Sequence, residues 1–275
     1  MNNKRSGLTF RIILMIVALV GIAFYLGRTS KKTLSEAIVN GNLKATQRIL
    51  NWGYNPFQTP YLFQAMQRPT PLGPMYYFRH FARLDRPYTD EEFEHRNKRS
   101  YKMVKLLVEH GADIDETAQF GWNRSGTPIM KAIEYNIPEV VQYLLEQGAS
   151  VNVFNDKSRS PLMYASRHLM YATTWDRNME FVKMLLDYNA KETINHVDIE
   201  GNSALHITSN FEIAKLSLDN GADPTIKNNA GQTPLEHARE YNMKSKATVI
   251  EKYMNADGNR ESETAPEILP ENQGG

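Results

Sequence analysis

The chain contains no cysteine. That excludes disulfides, thiolate zinc sites, iron–sulfur clusters, cysteine nucleophiles and a lipidated N-terminal cysteine, and it leaves the redox compartment open. It also lacks an excess of either charge: 32 Lys and Arg face 31 Asp and Glu, for a net charge of +1. Such balance argues against nucleic acid or an acidic polymer as the main partner. No G-x-S-x-G, H-E-x-x-H, phosphate-binding glycine loop or dinucleotide fingerprint is present. The seven histidines are scattered, and Glu91, Glu94 and His95, the one trio on a shared helical face, reads as a solvated charged surface. No metal, cofactor or small-molecule substrate is expected, and the chain reads as a non-enzyme.

Long apolar runs are nearly absent too. The exception is Ile12 to Leu26, free of charge, with Lys4, Arg5 and Arg11 before it and Arg28, Lys31 and Lys32 after it. As a helix rising about 1.5 Å per residue it falls short of the roughly 30 Å hydrocarbon core. Gly27 and snorkelling arginine stems extend it to a usable span. The sequence therefore divides into a basic tail (1–11), a transmembrane anchor (12–27) and a long remainder, with the N-terminus inside and the remainder outside. A cleaved signal peptide, with Gly21 and Ala23 preceding Phe24, is the alternative and would give an exported soluble protein.

Two phrases recur through the remainder. One is M-V-K-L-L-V-E-H-G-A-D-I-D from Met103, V-V-Q-Y-L-L-E-Q-G-A-S-V-N from Val140 and A-K-L-S-L-D-N-G-A-D-P-T from Ala214, with weaker copies from Thr46 and Val182. The other, interleaved, is T-P-Y-L-F-Q-A from Thr59, T-P-I-M-K-A-I from Thr127, S-P-L-M-Y-A-S from Ser160, S-A-L-H-I-T from Ser203 and T-P-L-E-H-A-R from Thr233. Ser or Thr before Pro supplies an N-cap hydroxyl and a first helical residue with no N–H to satisfy. Val104, Leu106 and Leu107 mark a buried helix face, and Gly111 ends that helix in the left-handed conformation. Asn189 takes the glycine's place in the copy from Val182. A helix, a turn, a second helix and an extended loop thus repeat about every 33 residues. Such a unit cannot bury its apolar stripe alone and must stack on its neighbours.

These phrases resemble the ankyrin repeat, with T-P-L-H-x-A in the first helix and L-L-x-x-G-A-D in the second. The resemblance implies an all-α solenoid of about six repeats over 33–255, opening on the cap Thr33-Leu34-Ser35-Glu36 and carrying one long insertion. The insertion, 67–97, holds Tyr76, Tyr77 and Arg79 among other aromatics and arginines, the residue types that dominate binding hot spots. The alternative is that its aromatics simply cover the solenoid. Thr89-Asp90-Glu91-Glu92 is expected to open a helix running into the second helix of that repeat. A shorter insertion lies between His168 and Arg177, and residues 256–275 read as a disordered acidic tail.

By the same resemblance, partners lie on the finger-like loops between repeats and on the concave first helices. The finger residues are then Phe120, Trp122 and Arg124, and Phe154, Lys157 and Arg159, followed by Asp198, Glu200, Asn228 and Asn229. Lys131, Tyr135, Arg167 and His168 are the concave candidates. Trp122 either meets a partner or lies flat on a neighbouring repeat. His110 and His206 read as structural. Ankyrin proteins of bacteria that carry an export segment include partners that protect a cell from a toxic enzyme. The resemblance therefore implies protein binding, in its sharpest form an immunity protein that neutralises a secreted toxin at the bacterial inner membrane, on the periplasmic side. A general scaffold for an inner-membrane assembly or stress-related enzyme is the alternative, and a metal-dependent enzyme in the 67–97 insertion is a third.

Overall fold

The computed structural model describes residues 34–51, 61–66, 90–119, 125–167 and 175–263. The described chain is mostly helical. It divides into two compact units, Met1–Lys131 and Ala132–Gly275. Among the described residues no helix is long and apolar enough to cross a membrane, and the expected anchor, 12–27, lies outside them.

The first unit holds α1 (residues 34–39), α2 (Leu43–Asn51), α3 (Tyr61–Ala65) and α4 (Asp90–Glu109), followed by a short hairpin of β1 (Ala118–Gln119) and β2 (Ser125–Gly126). Helix α4 starts at Asp90, as the Thr89-Asp90-Glu91-Glu92 signal predicts, and continues unbroken through the repeated phrase. Asn97, Ser100, Met103, Val104 and Leu107 are buried along it at helical spacing. Helices α2 and α3 pack against this face. His110 Nδ1–H donates to Leu106 O (2.8 Å) and the ring reaches Gln47 and Asn51 of α2, so its role is structural. Glu94 is engaged by Lys98 at 3.0 Å on an exposed face.

Helix α5 (Pro128–Glu134) contains the boundary between the units. The second unit continues with α6 (Pro138–Glu146), α7 (Pro161–Ser166), α8 (Trp175–Asp187), a 3-10 turn at Ala190–Thr193, α9 (Ala204–Ile207), α10 (Phe211–Asp219), α11 (Pro234–Glu240) and α12 (Lys244–Glu263). Short helices α7, α9 and α11 pack in one row, and longer helices α6, α8, α10 and α12 in a second. The longer helices bury the same four-residue pattern: Val140, Val141, Leu144 and Leu145, then Phe181, Val182, Leu185 and Leu186, then Ile213, Ala214, Ser217 and Leu218. Each large apolar side chain so buried contributes about 1.5–3 kcal/mol. Ser217, the polar intruder, is satisfied by donating its hydroxyl to Ile213 O at 2.8 Å.

The predicted caps form. Ser160 Oγ accepts from Met163 N, and Thr233 and Glu236 make a reciprocal capping box. Ser203 does the same with His206 as its partner. The helix stops are left-handed at Gly111 (φ 85°), Gly148 (φ 86°), Asn189 (φ 72°) and Gly221 (φ 93°). After Gly111, Gly148 and Gly221 the next amide reaches back five residues, as Ala149 N does to Leu144 O at 2.9 Å. Asn136 (φ 57°) and Asn242 (φ 56°), which stand outside the repeated phrases, close the short helices α5 and α11 in the same way.

Two expectations change. The described chain is not purely helical, because β1 pairs antiparallel with β2 at the base of a finger. The segment expected to be an acidic tail from residue 256 is helical as far as Glu263, since no proline interrupts α12 before Pro266.

A Cβ built on Gly111 meets nothing within 4 Å, so substitution there tests backbone conformation alone. Gly111→Val is expected to lower stability by about 1–3 kcal/mol, and Gly111→Asn to recover most of that loss. Urea unfolding of the two variants measures both.

Candidate protein-binding surface

The loops that lead into α7, α9 and α11 are built alike, and their construction starts from one residue. In Asn155, Asp198 and Asn228 the main-chain N–H donates to the carbonyl four residues on, at 3.1, 3.0 and 2.9 Å. The side-chain Oδ1 of the same residue accepts two further amides from inside its own loop. Asn155 takes Lys157 N (2.9 Å) and Arg159 N (2.8 Å), and Asp198 takes Glu200 N and Asn202 N, both at 3.0 Å. Asn228 takes Ala230 N (3.1 Å) and Gln232 N (3.0 Å). Each five-residue loop is thereby knotted about one acceptor. The fourth residue of each loop turns left-handed: Ser158 (φ 57°), Gly201 (φ 77°) and Gly231 (φ 77°).

The loops also bond to one another. Ile199 N donates to Lys157 O at 3.1 Å and Asn229 N to Glu200 O at 3.0 Å, while Asn229 Nδ2 reaches Ile199 O at 3.0 Å. A Cβ at Gly201 would lie 2.7 Å from Asn229 N, so this approach is open only to glycine. Arg159 Nε donates to Asp198 Oδ2 at 3.0 Å across the same seam, and Arg159 also lies 3.9 Å from Glu200. The Asp198 side chain is fully shielded from water and carries three hydrogen bonds, two from amides and one from a guanidinium. A buried carboxylate so satisfied holds two loops in one register.

This scaffold leaves apolar groups in solvent. Phe154 is 41 % exposed and stacks on the His196 ring with 3.8 Å between centroids. His196 is itself held by the Ser158 hydroxyl (2.9 Å) and by Ser158 O (3.0 Å). Ile199, on the next loop, is 58 % exposed. Rigid apolar side chains on a backbone whose polar groups are internally satisfied can dock on a protein surface with little ordering cost. Among the described residues no group of three His, Asp or Glu is placed to hold a metal.

The residues expected at a binding surface separate into three groups. Phe154, Lys157 and Arg159 are brought together by the loop beginning at Asn155, with Arg159 committed to the Asp198 seam. Tyr135 is half-buried just beyond α5, and Arg167 caps the end of α7 with its guanidinium 5.8 Å from the centre of the Tyr164 ring. Lys131, expected on a concave surface, is fully buried, and burial pushes its ammonium down to about 7. It is therefore part of the interior, a position its place in the repeat phrase does not betray. Tyr76, Tyr77, Arg79, Phe120, Trp122, Arg124 and His168 lie outside the described residues.

His206 lies beneath the loops. Its Nδ1 accepts from Ser203 N (3.2 Å), and Nε2–H donates to Gln232 O (3.0 Å), which fixes the tautomer. Burial holds its pKa below the usual histidine range, against the opposing pull of the Gln232 carbonyl. It is a structural tie between α9 and the next loop.

Comparison with known proteins agrees with this construction. The family model described as Ankyrin repeats (3 copies) matches residues 95–168. An ankyrin repeat protein of Acanthamoeba polyphaga mimivirus is 32 % identical over 149 residues, which cover 51 % of this chain and 82 % of that protein. The mitochondrial disaggregase of Bos taurus is 32 % identical over 168 residues, covering 58 % of this chain. The chain spans about a quarter of the length of that disaggregase and its human counterpart, 23 % and 26 % respectively. Among solved structures, a chain from the complex of a predatory endopeptidase of Bdellovibrio bacteriovorus with an immunity protein superposes with a TM-score of 0.56. That match covers 80 % of this chain and 97 % of the other at 19 % identity, a likeness of fold. The stacked helix pairs, their left-handed stops, the knotted loops and the relatives agree: this chain belongs to the ankyrin repeat family.

Proposed function

We propose that this protein acts by binding another protein through the loops at 154–159 and 198–202, without catalysis of its own. The sharpest form of the proposal is an immunity protein. A segment at 12–27 tethers an array of about six repeats to the outer face of a bacterial inner membrane, and the array neutralises a secreted hydrolase there. One observation carries the binding reading: Phe154 and Ile199 stand in solvent on adjacent loops whose backbone is locked by Asn155 and Asp198. The inhibitory form is supported by the fold likeness to a chain from a complex between an endopeptidase and an immunity protein. Tethering adds a physical rationale, because confinement to a thin layer raises the effective concentration of a binder against an enzyme that acts in that layer.

Three measurements test this. If Phe154 is an anchor, Phe154→Ala weakens partner binding by about 1–3 kcal/mol in calorimetry, while the melting curve hardly moves. Asp198→Ala should instead lower the melting temperature, because its loss leaves buried amides unpaired at about 1–3 kcal/mol. Deleting the gene should sensitise cells to a toxin encoded beside it. Unchanged resistance to every such toxin, with housekeeping membrane proteins recovered as partners, would replace immunity by scaffolding.

A further inference from the structure

The last helix of the second unit carries a lysine with nowhere to put its charge. Lys246 on α12 is 1 % exposed, and its ammonium has one described partner, the His206 carbonyl on α9 at 3.0 Å. No carboxylate among the described residues pairs with it. The two titratable groups on which Lys246 acts most directly are also basic. His206 lies on α9 and His237 on α11, with 6.0 Å between ring centroids, and both feel Lys246 as a repelling charge. The acids of the surrounding elements are committed or turned to water. Asp198, which weakly favours a charged His206, is paired with Arg159. On α11, Glu240 is exposed but lies close enough to favour a charged His237, against the larger effect of burial, and Arg239 pairs with Glu251 of α12. On α10, Glu212 is exposed and Lys215 pairs with Asp219. Lys244 and Lys252 of α12 are exposed.

The apolar grip of α12 is slight. Among its described side chains only Ala247 and Ile250 are buried apolar groups. It packs closely on α10 and α11 and is tied to α11 by the Arg239–Glu251 pair, but with few buried apolar side chains it can open locally at a cost below that of global unfolding.

We propose that α12 is a pH-responsive latch: on acidification towards neutrality the Lys246 amine takes up a proton that its docked site cannot pair, and α12 leaves α10 and α11 while α8 stays folded. Burial lowers the Lys246 ammonium from 10.5 to about 7, and His206 and His237 are likewise held below the usual histidine range. The sign follows from linkage. Between about 7 and 10.5 the detached helix binds the proton and the docked one does not, so docking strengthens as pH rises through that window. Below about 7 the lysine penalty is at full strength, and the histidines add theirs as pH falls under their ordinary value of about 6.5.

The test is hydrogen exchange on the full chain at about pH 8.5 and about pH 7, above the range in which the histidines titrate, corrected for intrinsic rates. Amides of residues 247–254 are expected to lose roughly tenfold or more of their protection at the lower pH, while those of residues 181–186 hold within about twofold. Lys246→Met should abolish the difference. Lys246→Gln, which keeps a donor for the His206 carbonyl without a titratable charge, provides the same control should the Met variant fold poorly. Equal protection of α12 at both pH values would overturn the proposal, and so would parallel loss in α8 and α12. A pH dependence that survives in both Lys246 variants would also overturn it. The measurement involves no partner and is independent of the binding proposal.

Discussion

A pair of short helices joined by a turn has more apolar surface than the two helices can hide from each other. Everything else in this protein answers that constraint. In the second unit the solution is lateral packing, with each helix row burying the stripe of the one before, so that Val141, Leu144, Phe181, Leu185, Ile213 and Leu218 form one interior. Stacking works only if successive helices end at the same height and the chain returns in the same direction. Left-handed residues at Gly148, Asn189 and Gly221 supply that return.

Stacking also brings successive loops within hydrogen-bond range, and there polar chemistry replaces apolar burial. A loop with no regular secondary structure must satisfy its own amides, and Asn155, Asp198 and Asn228 do so with a single oxygen each. Because the backbone is satisfied internally, the outward side chains are not needed to satisfy loop amides. Phe154 and Ile199 therefore stand in solvent, whereas Arg159 is drawn into the seam with Asp198.

Much of this was legible in the order of residues. Thr or Ser before Pro or Ala announced the starts of helices, and glycine or asparagine after an apolar stripe announced their ends, because both signals depend on local stereochemistry alone. The long α4 could be read from one capping signal for the same reason. The knot residues were visible in principle: Asn155, Asp198 and Asn228 each stand five positions before a capping Ser or Thr. The equivalent position before Thr127 is Trp122, and there the finger base is closed by the β1–β2 pair instead.

Sequence by itself determined the repeat, its caps and its stops, since these are settled within a few residues by dihedral preference and missing or surplus hydrogen-bond donors. Tertiary structure decided which polar side chains the repeats enclose. Lys131 and Lys246 look like surface residues in their phrases, yet both are buried, and Arg159 is drawn into a seam by a carboxylate 39 residues away. Burial and pairing depend on what a neighbouring element brings to the same point in space, and no local signal carries that information.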